Sequence, residues 1–205
     1  MLNAVEALDR LREGNARFVA HRDSGRAFSI DPGSAELVRG QEPFAIILGC
    51  SDSRVPAELI FDQGFGDLFV IRVAGNIVAP SQVGSVEFAA SRFRTRLVVV
   101  LGHSDCGAVG AALDELQGCS TLESRNLRSI VDRVRPPLEA LLKSWDRDDP
   151  EALMNEAVRA NVRASVDHLR HGSELLEDLG KTSGLAVVGA KYSLSTGVVN
   201  FFDEL

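Results

Sequence analysis

Residues 44–54 read Phe44-Ala45-Ile46-Ile47-Leu48-Gly49-Cys50-Ser51-Asp52-Ser53-Arg54, and residues 97–107 read Leu97-Val98-Val99-Val100-Leu101-Gly102-His103-Ser104-Asp105-Cys106-Gly107. Each is a short apolar run that ends at a glycine and passes into a polar segment carrying cysteine, histidine or aspartate. Such a run, bounded by turn residues, fits a strand buried on both faces, as in parallel sheets. Leu68-Phe69-Val70-Ile71 repeats the apolar run, and Leu185-Ala186-Val187-Val188 repeats it with Gly189 behind.

Helical patterns separate these runs. They cover residues 57–61, 81–93, 108–116, 127–142 and 151–179, with Val83, Val86, Phe88 and Ala89 as core positions of the second. Pro136-Pro137 breaks or starts a helix within the fourth. Residues 1–18 carry Val5, Leu8, Leu11 and Phe18 at roughly helical spacing, with a break expected at Gly14. Residues 22–43 are loop-rich, with a short helix near 35–39. Residues 197–202 return as a hairpin strand. Strands alternating with helices predict an α/β fold: a mostly parallel central β-sheet flanked by helices, closed by an antiparallel C-terminal edge strand. A chain of 205 residues fits one domain, 1–205.

Composition excludes several function classes. Hydrophobic residues make up 45% and charged residues 25%, the balance of a soluble globular protein. The net charge of −7 gives no basic footprint for nucleic acid. The one dense basic stretch, Arg92-Phe93-Arg94-Thr95-Arg96, reads as a solvated helix end or loop. No apolar run is long enough for a membrane span, and no basic segment followed by an apolar one marks a secretory leader. The 3 cysteines, Cys50, Cys106 and Cys119, cannot all pair within one chain, so a reducing compartment is the simpler expectation and a cytoplasmic location follows. Metal binding or reactivity then remains as a reason to keep a thiol.

In open parallel sheets, ligands collect outside the carboxyl ends of the strands. If the first and third strands are neighbours, Cys50, His103 and Cys106 arrive at one place. Two thiolates and an imidazole are a good donor set for Zn2+. A fourth position stays open for water or for the Asp52 carboxylate. The alternative is that both cysteines are small buried hydrophobes and His103 is a hydrogen-bonded turn residue. Asp52 and Arg54 are spaced for a bidentate pair. On a plain surface such a pair contributes little. Beside a metal, the arginine can hold the carboxylate away from the ion. Asp105 suits a turn between the donors, and Gly75-Asn76 suits a tight backbone turn. Cys119 reads as a free thiol in a polar loop, and His21, His168 and His171 as surface or structural residues.

Taken together and in this order, Cys50-Ser51-Asp52-Ser53-Arg54, Arg72-Val73-Ala74-Gly75-Asn76 and His103-Ser104-Asp105-Cys106-Gly107-Ala108 resemble the β-class carbonic anhydrases. The similarity begins near Glu13-Gly14-Asn15-Ala16-Arg17-Phe18 and runs to the end of the chain. It implies one zinc ion on Cys50, His103 and Cys106, with Asp52 either the fourth metal ligand or the partner of Arg54 in a catalytic dyad. It implies substrate contacts from Gln41, an apolar carbon dioxide pocket at Phe69, Ala74 and Phe88, and the Gly107 amide as a donor to a bound anion. The implied activity is hydration of carbon dioxide to bicarbonate by zinc-bound hydroxide. A homodimer or homotetramer is implied, with Gln41 and Phe69 serving the partner's zinc and residues 1–40 forming an arm against the partner subunit. Some members carry a bicarbonate site that needs a tryptophan where this chain has Ile47. Arg72 and Tyr192 match the rest of that trio, but without the tryptophan no such site is expected. Two other activities fit the same residues: hydrolysis of carbonyl sulfide or carbon disulfide, and non-catalytic zinc or bicarbonate sensing.

Overall fold

The computed structural model describes residues 2–24, 40–119 and 124–202. Its elements in chain order are α1 (Ala4–Asp23), β1 (Ala45–Gly49), α2 (Ala57–Ile60), β2 (Leu68–Arg72), a single 3-10 turn (Ala74–Asn76), α3 (Pro80–Arg92), β3 (Leu97–His103), α4 (Gly107–Leu116), α5 (Arg125–Ser144), α6 (Pro150–His171), α7 (Glu174–Ser183), β4 (Ala186–Tyr192) and β5 (Val199–Phe201). The strands form one sheet in the order β2-β1-β3-β4-β5. The first four strands run parallel, and β5 pairs antiparallel with β4. This is the fold class the alternating pattern predicts. The expected helix near 35–39 lies outside the described residues.

Every residue of β1 and β3 is buried, which explains their continuous apolar runs. Successive side chains point to opposite faces of a strand. Ile47, Val99 and Leu101 therefore meet Leu8 and Leu11 of α1 on one face. Ile46, Leu48, Val98 and Val100 meet Val86 of α3 and Val162 and Val166 of α6 on the other. A third cluster gathers Cys50 and Cys106 with α4, α5 and the start of α6. The loops that carry Cys50 and Cys106 are thus backed by apolar packing. The buried face of α1 lies against this chain's own sheet.

Several expectations need correction. Helix α1 is not broken at Gly14: it runs on to Asp23, and a Cβ at that glycine would sit 1.8 Å from the carbonyl oxygen of Phe61. The glycine lets the helix approach the end of α2. Strand β4 does not stop at Gly189, because that residue, like Gly102 in β3, makes room for α6. A Cβ on Gly102 would meet Val162 at 2.6 Å, and one on Gly189 would meet Val162 at 2.9 Å. Helix α5 continues through Pro136-Pro137. The carbonyls those prolines cannot satisfy belong to the exposed residues Asp132 and Arg133, while Val131, Val134 and Leu138 stay buried. The long helix expected over 151–179 is two helices. Ser173 leaves the helix in an extended conformation and its hydroxyl caps the amide of Leu176 at 3.2 Å. Phe88 is not a core residue of its own chain but is 55% exposed. Among the described residues no helix is long and apolar enough to cross a membrane.

Candidate metal centre

Strands β1 and β3 lie side by side with Gly49 level with Leu101, so Cys50 and His103 leave the sheet at the same end. Cys106 follows three residues after His103 as the N-cap of α4. The two Sγ atoms and a ring nitrogen of His103 lie within 4.8 Å of one another, and all three residues are buried.

The state of His103 follows from its neighbours. Nδ1 lies 2.8 Å from the carbonyl oxygen of Ser104, which can only accept, so Nδ1 carries the hydrogen. In the neutral ring Nε2 is then a bare lone pair. The residue is 0% exposed, and Nε2 has no hydrogen-bond partner among the described residues. Leaving a buried acceptor unsatisfied costs about 1–3 kcal/mol. A cation held between this nitrogen and the two sulfurs removes that cost. A structural reading of three small buried residues does not explain the orphaned nitrogen, so the donor set fits a borderline-soft ion such as zinc.

The surroundings bias the sulfurs. A hydrogen bond from Cys106 lowers the Cys50 pKa against the opposing effect of burial, helped by the amides of Gly75 and Asp52. The same bond raises Cys106, and burial adds to it, while the Val109 and Ala108 amides at the start of α4 pull the other way. A helix N-terminus stabilises a thiolate in this manner. Burial opposes charge on His103, but the neighbouring Cys50 and Asp52 outweigh it and the pKa lies above its ordinary value.

Asp52 stands beside the three donors without joining them. Its Oδ2 is 3.8 Å from His103 Nε2. Arg54 grips the carboxylate as a fork, Nε to Oδ1 at 2.9 Å and a terminal nitrogen to Oδ2 at 2.7 Å, and its backbone amide adds a bond to Oδ1 at 2.9 Å. The Arg54 side-chain bond is the main reason the Asp52 pKa lies well below the usual carboxylate range. Arg72, read from the sequence only as part of a ligand trio, donates to the carbonyls of Cys50 and Asp52 and pins the loop. Its spacing from Cys50 gave no signal for that contact.

The substrate-pocket candidates fall in two places. Ala74 and Gly107 lie at the metal end; Gly107 opens α4, and a Cβ there would meet nothing within 4 Å. Gln41 is exposed and precedes β1, whose 5 residues span about 16 Å, so the strand's length separates it from Cys50. Phe69 is level with Ile46, early in β1. Its ring packs 6.2 Å from Phe88 and 6.0 Å from Phe93, centroid to centroid. A cleft of about 530 Å³ beside them is lined by Arg10, Gln41, Phe44, Arg92 and Phe93. Gln41, Phe69 and Phe88 therefore gather at the opposite end of the sheet from the metal donors. Sequence reasoning also missed Asn161 and Ser165 of α6, buried polar residues that bond the turn behind Cys50.

A mostly parallel α/β sheet with two cysteines and a histidine converging at its carboxyl end has a candidate metal site at the switch point of its strand order. Comparison with known proteins narrows the class. The carbonic anhydrase family profile matches residues 45–199. Carbonic anhydrase 2 of Mycobacterium tuberculosis is 42% identical over 195 residues, covering 95% of this chain and 91% of that protein. The carbonic anhydrase of Mycolicibacterium smegmatis is 37% identical over 99% of this chain and 95% of its own length. Among solved structures, the β-carbonic anhydrase CafA of Aspergillus fumigatus superposes with a TM-score of 0.72 at 27% identity, over 96% of this chain and 89% of that one. A tetrameric β-carbonic anhydrase of Sordaria macrospora shares the fold, with a TM-score of 0.76 at 23% identity over 92% and 91% of the two chains. The chain belongs to the β-carbonic anhydrase family and is an enzyme of that family.

Proposed function

We propose that this chain catalyses the reversible hydration of carbon dioxide to bicarbonate and a proton, with one Zn2+ held by Cys50, His103 and Cys106. The observation that carries the reading is the unpartnered Nε2 of fully buried His103 facing two buried sulfurs, with the nearby carboxylate turned to Arg54. Three protein donors leave a fourth position, which is the catalytic rather than the structural zinc pattern. When bound, the ion supplies Lewis acidity, lowering the pKa of a water ligand to about 7 in the histidine-ligated case and somewhat less with two thiolates.

The chain's own residues do the rest. Arg54 keeps Asp52 anionic and aimed beside the donors, where its carboxylate accepts a hydrogen bond from a proton-bearing group and orients it. The Gly107 amide, at the positive end of α4, offers a donor to the product anion. Ala74 contributes an apolar wall. Gln41, Phe69 and Phe88 lie too far from this chain's donors to serve them, so the pocket is completed by a second copy, whose Gln41 donates to bicarbonate and whose phenylalanines exclude water. A homodimer or homotetramer follows.

Stopped-flow carbon dioxide hydration by zinc-loaded protein tests the proposal. Hydration well above background with one zinc per chain is expected. Turnover of carbonyl sulfide or carbon disulfide with none of carbon dioxide would favour the hydrolase. Zinc binding with neither activity would favour a sensor.

A further inference from the structure

Helix α6 packs on the sheet through Ala157, Val158, Val162 and Val166, yet the same buried face carries Asn161 and Ser165, 2% and 6% exposed. Burying an amide or a hydroxyl is costly unless each finds a partner. Both side chains, one helical turn apart, donate to one spot. Asn161 Nδ2 bonds the carbonyl of Gly75 at 2.8 Å, and Ser165 Oγ bonds the carbonyl of Asn76 at 3.1 Å. Those two residues are consecutive, and both have left-handed backbones, with φ of 69° at Gly75 and 45° at Asn76. For a non-glycine residue that conformation costs roughly 1–2 kcal/mol and persists only where its surroundings hold it.

The turn has a second contact, through its first amide. The Gly75 amide donates to Cys50 Sγ at 3.4 Å. A backbone N–H aimed at a thiolate sulfur withdraws charge from it, so the sulfur donates less to a bound cation. The amide can do this only while the turn keeps its left-handed shape. Gly75 itself has no slack, because a Cβ there would stand 3.0 Å from Ala108, two residues past Cys106.

We infer that Asn161 and Ser165 are positioning residues for the metal centre: together they clamp the Gly75–Asn76 turn so that its amide faces the Cys50 sulfur. The inference rests on the proposed metal site and reaches one layer behind it. A purely structural role, in which the two side chains only satisfy α6 in the core, predicts lower stability and nothing else.

The test uses the full chain with Asn161→Ala, Ser165→Ala and, as the conservative control, Ser165→Thr. Residue-resolved amide exchange in the metal-free protein reads the clamp. Exchange at Gly75 should accelerate by about tenfold or more in both alanine variants, as expected for losing one hydrogen bond, and return towards wild type in Ser165→Thr. The cobalt(II)-substituted protein reads the consequence. Its thiolate-to-cobalt absorption should move to lower energy in the alanine variants, because a sulfur without its N–H bond gives up charge more readily. If Asn161→Ala folds poorly, the Ser165 pair carries both readouts alone. Unchanged Gly75 exchange and an unchanged cobalt band, whatever happens to thermal stability, would overturn the inference. Failure of the wild-type chain to bind cobalt or zinc would instead remove the metal site on which it rests.

Discussion

The two ends of the parallel sheet differ in how complete they are. At the carboxyl end, Cys50, His103 and Cys106 converge, Arg54 holds Asp52, Arg72 pins the loop and α6 braces the turn behind it. Every one of those contacts comes from a single chain. At the amino end, Gln41 is exposed beside an open cleft, and Phe88 leaves more than half its surface in solvent against Phe69 and Phe93. Large exposed aromatic surface marks an interaction site. One end is a finished donor set for a metal ion, and the other is left unfinished by one chain. Chemistry carried by one chain can be broken by a single substitution, whereas chemistry carried by two can be repaired by mixing.

The largest effect belongs to the finished end. Replacing Cys106 or Cys50 with serine, or His103 with alanine, removes one of three donors. Hydration should fall to background and zinc should drop well below one per chain, as read by elemental analysis beside stopped-flow rates. A serine variant that keeps both would break the metal assignment.

Arg54→Ala comes next. The Asp52 pKa is depressed by Arg54, so the pair's contribution to stability is fully present above the ordinary carboxylate range and is lost only as pH falls through the depressed value. Between pH 5 and 9 the carboxylate is therefore charged with or without its partner. Without Arg54 it is free to turn towards the ion. Activity should fall by about 100-fold at every pH in that window, a loss of the size expected for an outer partner of a metal site, while zinc stays bound. An Arg54→Ala enzyme with wild-type rates would show that the pair gates nothing.

Metal binding itself should follow pH with a definite sign. Cys106 and His103 both hold their protons above their ordinary pKa values, and zinc must displace them. Apparent zinc affinity should rise with pH from 5 to 8, with net proton release visible by calorimetry in buffers of different ionisation enthalpy. Affinity that is flat across that range would mean the sulfur and imidazole atoms are not the donors.

The finished end was also the legible one. Its donors sit in the turns that follow buried strands, so spacing along the sequence becomes spacing in space once β1 and β3 pair. The misreadings share another cause: each depends on what lies across the core. Gly14 looked like a helix breaker, but its role is set by the Phe61 carbonyl, and Gly189 looked like a strand end, but its role is set by α6. Asn161 and Ser165 are ordinary polar residues in a helical pattern until the turn they grip is known. Phe88 fits the helical core period, and only the fold reveals that the surface it faces is solvent in one chain. Local pattern fixes which residues are apolar; it does not fix which chain buries them.

The unfinished end gives the test most specific to its reading. A Cys106→Ser chain has no metal site but an intact Gln41; a Gln41→Ala chain has the reverse. If Gln41 acts across an interface, unfolding and refolding the two together should yield mixed dimers with one intact and one doubly defective site. Half of a random 1:1 mixture is mixed, so about a quarter of wild-type activity should return. If Gln41 acts within its own chain, no pairing repairs either site and activity stays at the sum of the parents.

The smallest effect is the change in single-chain stability on replacing Phe88 with serine. A 55% exposed side chain buries too little in its own chain for the loss to exceed about 1 kcal/mol in dilute solution. If a second copy covers the same ring, its removal costs far more there. Phe88→Ser should therefore leave the far-ultraviolet circular dichroism unchanged while lowering the thermal midpoint and making it less dependent on protein concentration than in the wild type. Sedimentation should show the chain moving towards monomer, with activity falling in step as the partner's Gln41 is lost. A variant that stays fully associated and active would mean that the aromatic face does not contribute to the interface, and the partner would have to be sought on another side of the molecule.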